Sequence, residues 1–173
     1  VTTYDYDRNG NIISITDSAD SDGSEGPESK LYVYDGFNRR IRILDPLGNR
    51  SELTYDSNSS VIASRFFGHP AGRPDQAAVL QNERLFRRDE LDRIYQTDER
   101  LFIPDGFSPV QTPVLSDANS DGFVTTLFEY DGNSKPTRMV EDDGDDSMSV
   151  YDGLSRPIRT VDTVGNETET FYD

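Results

Sequence analysis

The sequence predicts an all-β fold, a meander of antiparallel hairpins built from about six 21-residue repeats that form a curved or rolled sheet. Two observations carry that reading. Tyr-Asp begins at positions 6, 34, 55, 130, 151 and 172, and three of the five intervals are 21 residues. Each repeat also holds two turn signals, so short strands alternate with tight turns.

The clearest copy runs from Tyr151 to Phe171. Ile158 to Val161 reads as one strand and Thr168 to Tyr172 as the next. Between them, Asp162-Thr163-Val164-Gly165 places Asp where a side chain accepts backbone hydrogen bonds and Gly where positive φ is needed. Asp45-Pro46-Leu47-Gly48 repeats that arrangement, and Glu141-Asp142-Asp143-Gly144 repeats it with a shift. A second turn follows each Tyr-Asp, with Gly10, Asn38, Ser59, Asp92, Ser134 or Ser155 at one equivalent position. Gly is the natural occupant of a left-handed residue there, and Asn and Asp are the next most tolerant.

Arg88-Asp89 is a degenerate copy inside the long gap between 55 and 130. The whole of 1–173 then reads as a single array, with insertions near 18–30, 66–84 and 103–124. One Tyr per repeat at one phase of a period-2 strand predicts a ladder of rings across neighbouring hairpins, burying one face. Within the second insertion, Asp75 to Glu83 reads as a short helix capped near Asp75.

Only 33% of the residues are hydrophobic and the mean hydropathy is −0.72, a thin supply of core that predicts an ordered but shallow structure. The balance of 17 Lys and Arg against 33 Asp and Glu, a net charge of −16, argues against nucleic acid as a partner and favours cations or basic surfaces. No apolar stretch approaches the ~20 residues that span a bilayer, so no membrane partner is expected. The first residues lack the regions of a signal peptide. The absence of cysteine removes disulfide and thiolate chemistry. Acidity with Asn/Ser/Thr-rich turns points to an extracellular or cell-surface location on a bacterial or archaeal cell.

Tyr34-Asp-Gly-Phe-Asn-Arg39 through Asp45-Pro-Leu-Gly-Asn49, and Tyr151-Asp-Gly-Leu-Ser-Arg156 through Asp162-Thr-Val-Gly-Asn166, resemble the unit of the Rhs or YD-repeat family. The resemblance runs over the chain apart from the insertions. It implies a long β strip that coils, in larger members, into a hollow shell around a toxin or other cargo; animal teneurins use a similar shell in adhesion. The family's self-cleaving motif and variable toxin region find no match here, so the segment looks like wall without cargo or processing chemistry. The chain opens and closes at one phase of the repeat. Two readings follow: a piece of a longer YD-repeat chain, or a segment whose open strand edges let copies of itself join.

The third insertion carries Asp117-Ala-Asn119-Ser-Asp121-Gly122-Phe123-Val124-Thr125. Oxygen side chains at positions 1, 3 and 5 with Gly at 6 open an EF-hand-type Ca2+ loop, in which the Phe123 carbonyl and Thr125 stand at positions 7 and 9. Phe128 occupies position 12, where a carboxylate is expected, and Glu129 follows it. The expected ligand set is Asp117, Asn119, Asp121, Phe123, Thr125 and Glu129. An Asx-rich turn without metal accounts for the same residues.

His69 is the one histidine, and no Ser or Asp is singled out as its partner, so it is expected to pack among neighbouring aromatics. With 33 acidic residues, pairs of carboxylates arise by chance and select no glycosidase site. No enzyme is expected. The sequence points to a structural repeat segment of a secreted or surface protein, part of a shell wall or fibre. The alternative is an adhesion module that meets carbohydrate or a protein partner through aromatic and acidic loops.

Overall fold

The computed structural model describes residues 1–18, 28–69, 77–103, 112–113 and 121–173, side chains excepted at 101–103 and 112–113. The chain divides into two compact units, Val1–Glu83 with Leu101–Thr112, and Arg84–Arg100 with Pro113–Asp173. Strands β1 (Thr2–Tyr6), β2 (Ile12–Asp17), β3 (Glu28–Tyr34), β4 (Arg40–Leu44), β5 (Arg50–Tyr55) and β6 (Val61–Gly68) belong to the first. Strands β10 (Val124–Tyr130), β11 (Pro136–Val140), β12 (Asp146–Tyr151), β13 (Pro157–Val161) and β14 (Glu167–Glu169) belong to the second. Strands β7 (Val79–Arg88) and β8 (Ile94–Ile103) contribute to both, and β9 (Thr112–Pro113) pairs with β8.

In each unit the strands are hydrogen-bonded in chain order, antiparallel neighbour to antiparallel neighbour. The described residues contain no helix. Strand β7 therefore corrects the helix expected over Asp75 to Glu83: the chain from Val79 on is extended and joins the ladder, while 70–76 lie outside the described residues. Sheet pairing there overrides a weak capping signal.

Register slips by one residue at Asp5/Tyr6, Val33/Tyr34, Thr54/Tyr55, Glu129/Tyr130 and Val150/Tyr151, always immediately before the repeat tyrosine. The cause is the turn that follows. In residues 35–39, Asn38 N–H donates to the Asp35 carbonyl at 3.1 Å and Asp35 N–H to the Arg39 carbonyl at 2.9 Å. This couples a tight turn to a one-residue bulge with a left-handed residue. All six residues expected at the left-handed position adopt positive φ: Gly10 (84°), Asn38 (61°), Ser59 (68°), Asp92 (62°), Ser134 (61°) and Ser155 (61°). A side chain there costs about 1–2 kcal/mol relative to glycine. Ser155→Gly should therefore stabilise the protein by about 0.5 kcal/mol after the glycine's extra unfolded-state entropy is deducted, read from the urea midpoint.

Alternate turns fall on opposite edges of a meander. In the first unit the segments 18–27 and 69–78 leave and re-enter the sheet on the edge that carries turn 45–49. In the second, strand β10 begins on the edge of turns 141–145 and 162–166. Insertions thus replace the Asp-x-x-Gly turn and spare the one after Tyr-Asp.

One face carries ion pairs across directly opposed strands. Arg42 meets Glu52 at 3.0 Å and Arg65 meets Glu83 at 2.7 Å in the first unit. In the second, Arg138 joins Glu129 at 3.1 Å to Asp146 at 2.7 Å. Among the described residues only Ala63, Gly68 and Asp98 are buried, so stability comes from the ladder and its edges rather than from a two-sided core.

Candidate functional site: the tyrosine-arginine hairpin edge

The Asp that follows each repeat Tyr, or Arg88 in its place, organises the hairpin turn it opens. Asp89 Oδ1 accepts the N–H groups of Leu91 at 2.9 Å and Arg93 at 3.0 Å, and Oδ2 accepts Arg93 Nε at 2.7 Å. Asp35 does the same with Phe37 and Arg39, and Asp152 with Leu154 and Arg156. Where the fifth residue after Tyr is Asn, as at Asn11, its amide replaces the guanidinium on Asp7 Oδ2 at 2.9 Å. These bonds favour the ionised carboxylates. The Arg93 guanidinium holds Asp89 below its ordinary value, and the Asn11 amide does so for Asp7. At Asp35 partial desolvation opposes the shift, and the N–H and guanidinium of Arg39 outweigh it.

The arginine then reaches the next hairpin. Arg39 lies 4.8 Å above the Tyr55 ring and donates from Nη1 to the Asp56 carbonyl at 2.8 Å. Tyr55 answers by donating its hydroxyl to the Arg40 carbonyl at 2.9 Å. In the second unit Arg93 stands 4.8 Å above Tyr130 and donates to the Asp131 carbonyl at 3.2 Å, while Tyr130 donates to the Ile94 carbonyl at 2.6 Å. Arg156 stands 4.2 Å above Tyr172, which donates to the Pro157 carbonyl at 2.9 Å. The first two staples combine a charge-assisted bond, a cation–π contact and a tyrosine hydroxyl bond, and the third combines the last two.

This corrects the expected ring ladder. Tyr55, Tyr130 and Tyr172 sit under an arginine of the preceding hairpin instead of stacking ring on ring to bury a face. Sequence reasoning placed Tyr and Asp but gave the arginine no role. Its signal was present in the constant offset of five residues from the repeat Tyr position, held by Tyr34, Arg88 and Tyr151, to Arg39, Arg93 and Arg156.

Of the expected calcium ligands, Asp121, Phe123, Thr125 and Glu129 lie among the described residues. Asp117 and Asn119 lie outside the described residues. Asp121 Oδ1 accepts Phe123 N–H at 2.9 Å, an Asx turn. The Gly122 carbonyl accepts Arg100 Nε at 3.0 Å, and that guanidinium lies 3.9 Å from the Phe123 ring centre. Thr125 donates its N–H to Asp142 at 3.1 Å and its hydroxyl to Asp98 at 2.9 Å. Glu129 pairs with Arg138. Thr125 and Glu129 belong to the same extended strand, four residues apart. No group of three or more His, Asp or Glu side chains suited to a metal occurs among the described residues.

His69 packs on turn 45–49. Its N–H donates to Asn49 Oδ1 at 3.3 Å, and its carbonyl accepts Gln81 Nε2 at 3.2 Å. A Cβ on Gly48 would meet His69 Nε2 at 2.8 Å, whereas one on Gly165, at the equivalent turn position, meets nothing within 4 Å. Both glycines have positive φ. Gly165→Ala should therefore cost about 1 kcal/mol in backbone strain alone. Gly48→Ala should cost more, and adding His69→Ala should return it towards the Gly165→Ala value in chemical denaturation.

Compared with models of protein families and with curated proteins, the sequence finds no match. Solved structures do match. TcdB2-TccC3 without its hypervariable C-terminal region superposes with a TM-score of 0.50 at 10% identity, over 97% of this chain and 9% of that one. TcdB2-TccC3-TEV gives 0.48 at 13% identity, over 97% and 9%. The Photorhabdus luminescens Tc holotoxin pore gives 0.40 at 13% identity, over 88% and 8%. The chain thus spans less than a tenth of the length of these chains, and the first likeness shows a shared β fold.

Proposed function

We propose that this chain is a structural repeat segment of a secreted or cell-surface protein, a stretch of β shell wall or extracellular fibre of the Rhs or YD-repeat kind, without catalysis of its own. The observation that carries the reading is the staple. A residue set that repeats with the hairpins, and spends Tyr, Arg and Asp on fastening each hairpin to the next, serves extension of the strip rather than a single localised site. The likeness in fold to TcdB2-TccC3 supports a place within a longer chain or assembly, where encapsulated cargo is the partner class that a wall implies.

In the adhesion alternative, exposed rings would stack on a ligand. Tyr55, Tyr130 and Tyr172 each have a guanidinium over the ring, which disfavours that use. Calcium enters the structural reading only as a stabiliser of the insertion that carries Asp117, Asn119 and Asp121. A melting temperature that rises with added calcium and falls with a chelator supports it, and an unchanged one removes it.

The test of the whole reading pairs electron microscopy of the purified chain with a screen of chromogenic glycosides, esters and peptides. Extended particles or fibres with no turnover support a wall segment. Turnover abolished by replacing one particular carboxylate would overturn it.

A further inference from the structure

The third residue after each repeat Tyr position alternates strictly along the chain: Asn9, Phe37, Asn58, Leu91, Asn133, Leu154. All six occupy the same place in the turn. Their N–H groups donate to the Asp carboxylate two residues earlier, at 2.9 Å for Asn9, Phe37, Leu91, Asn133 and Leu154 and at 2.8 Å for Asn58. The hairpin accepts Asn and an apolar residue equally, so its geometry does not select the apolar ones. Nor does burial: Phe37 is 80% exposed, Leu91 67% and Leu154 75%. Asn, Asp and Gly are the usual occupants of such tips, so the regular recurrence of an apolar residue here is a departure from turn preference.

We infer that the hairpin edge of the second unit bearing Leu91, Asn133 and Leu154 is a self-association surface, on which two copies of this chain meet about a two-fold axis near Asn133. The order apolar, amide, apolar reads the same in both directions. A two-fold axis at its centre sets Leu91 of one copy against Leu154 of the other and brings the two Asn133 amides, which can donate and accept to each other, together. The leucines are four strands apart, about 19 Å at ~4.8 Å per strand.

Charge singles out this edge over the opposite one. Residues 88–93, 131–135 and 152–156 carry four cations and five acids, nearly balanced, and Arg93 and Arg156 are already paired within their own turns. On the opposite edge, residues 141–146 and 162–166 carry six acids and no cation, so that edge repels its own copy. The inference is independent of the wall reading, and its failure leaves that reading as it stands.

Because the chain has no cysteine, the experiment is direct. Asn133→Cys should form an intermolecular disulfide on mild oxidation, and Val164→Cys, at an equally exposed tip of the acidic edge, should not. In sedimentation velocity from micromolar to millimolar protein, the wild type should dimerise. The double variant Leu91→Asn/Leu154→Asn should weaken the dimer at least about tenfold, losing two central apolar contacts. Its fold is secured by Asn already standing at the same turn position three times, checked by an unchanged circular dichroism spectrum. A wild type that stays monomeric throughout, a double variant that dimerises as well as the wild type, or equal cross-linking at 133 and 164 would each overturn the proposal.

Discussion

Tyr130→Leu should destabilise the protein by about 2–3 kcal/mol, and Tyr130→Phe by about 1 kcal/mol, measured as shifts in urea midpoint at constant slope. The phenylalanine keeps the ring beneath Arg93 and loses only the hydroxyl bond to the Ile94 carbonyl. Leucine also removes the cation–π contact, about 0.5–1 kcal/mol, and part of the packing of a half-buried ring. Tyr95 is 40% exposed and has no part in the staple, so Tyr95→Leu should stay within about 0.5 kcal/mol. A double-mutant cycle between Arg93→Met and Tyr130→Leu isolates the contact, and a coupling indistinguishable from zero would remove the staple as a source of stability.

The fold was legible because its information is local and repeated. Turn residues at fixed offsets from Tyr-Asp identified the six left-handed positions, down to the serines and the aspartate that replace glycine. What failed was what required knowledge of neighbours. The bulge before Tyr130 is produced by the turn after it, and the bulge redirects the ring from the sheet face to the edge. Period-2 reasoning carries no such phase slip, so it predicted a ladder of rings. The helix expected before Glu83 failed for a related reason. Strand β7 is fixed by pairing with its neighbours in the sheet, which no property of residues 79–83 alone reveals.

Acid should unfold the protein along a limb set by the turn carboxylates, against a general trend of opposite sign. Asp7, Asp35, Asp89, Asp152 and Asp162 are each held below their ordinary value of 3.8, and Glu167 below 4.5. A carboxylate with a depressed folded pKa contributes stability that is fully present above its unfolded pKa and is lost as pH falls through the folded one. That loss therefore belongs below about pH 4. Between pH 7 and there, titration of the remaining acids relieves the repulsion of a chain with net charge −16, which raises stability as pH falls. Stability should accordingly climb gently towards the pI of about 4.3 and then drop as several turns lose their caps together. Salt separates the two: it should flatten the slope above pH 5 by screening distant charges, yet leave the acid limb, whose bonds are as short as 2.7 Å. Replacing Asp35, Asp89 and Asp152 by Asn should lower stability at pH 7 and shrink the acid limb, since the amide still accepts the turn N–H groups but no longer titrates or pairs with Arg39, Arg93 and Arg156. Urea midpoints from pH 2 to 8 decide the matter, for an acid limb of unchanged size in the triple variant would assign acid unfolding to other carboxylates.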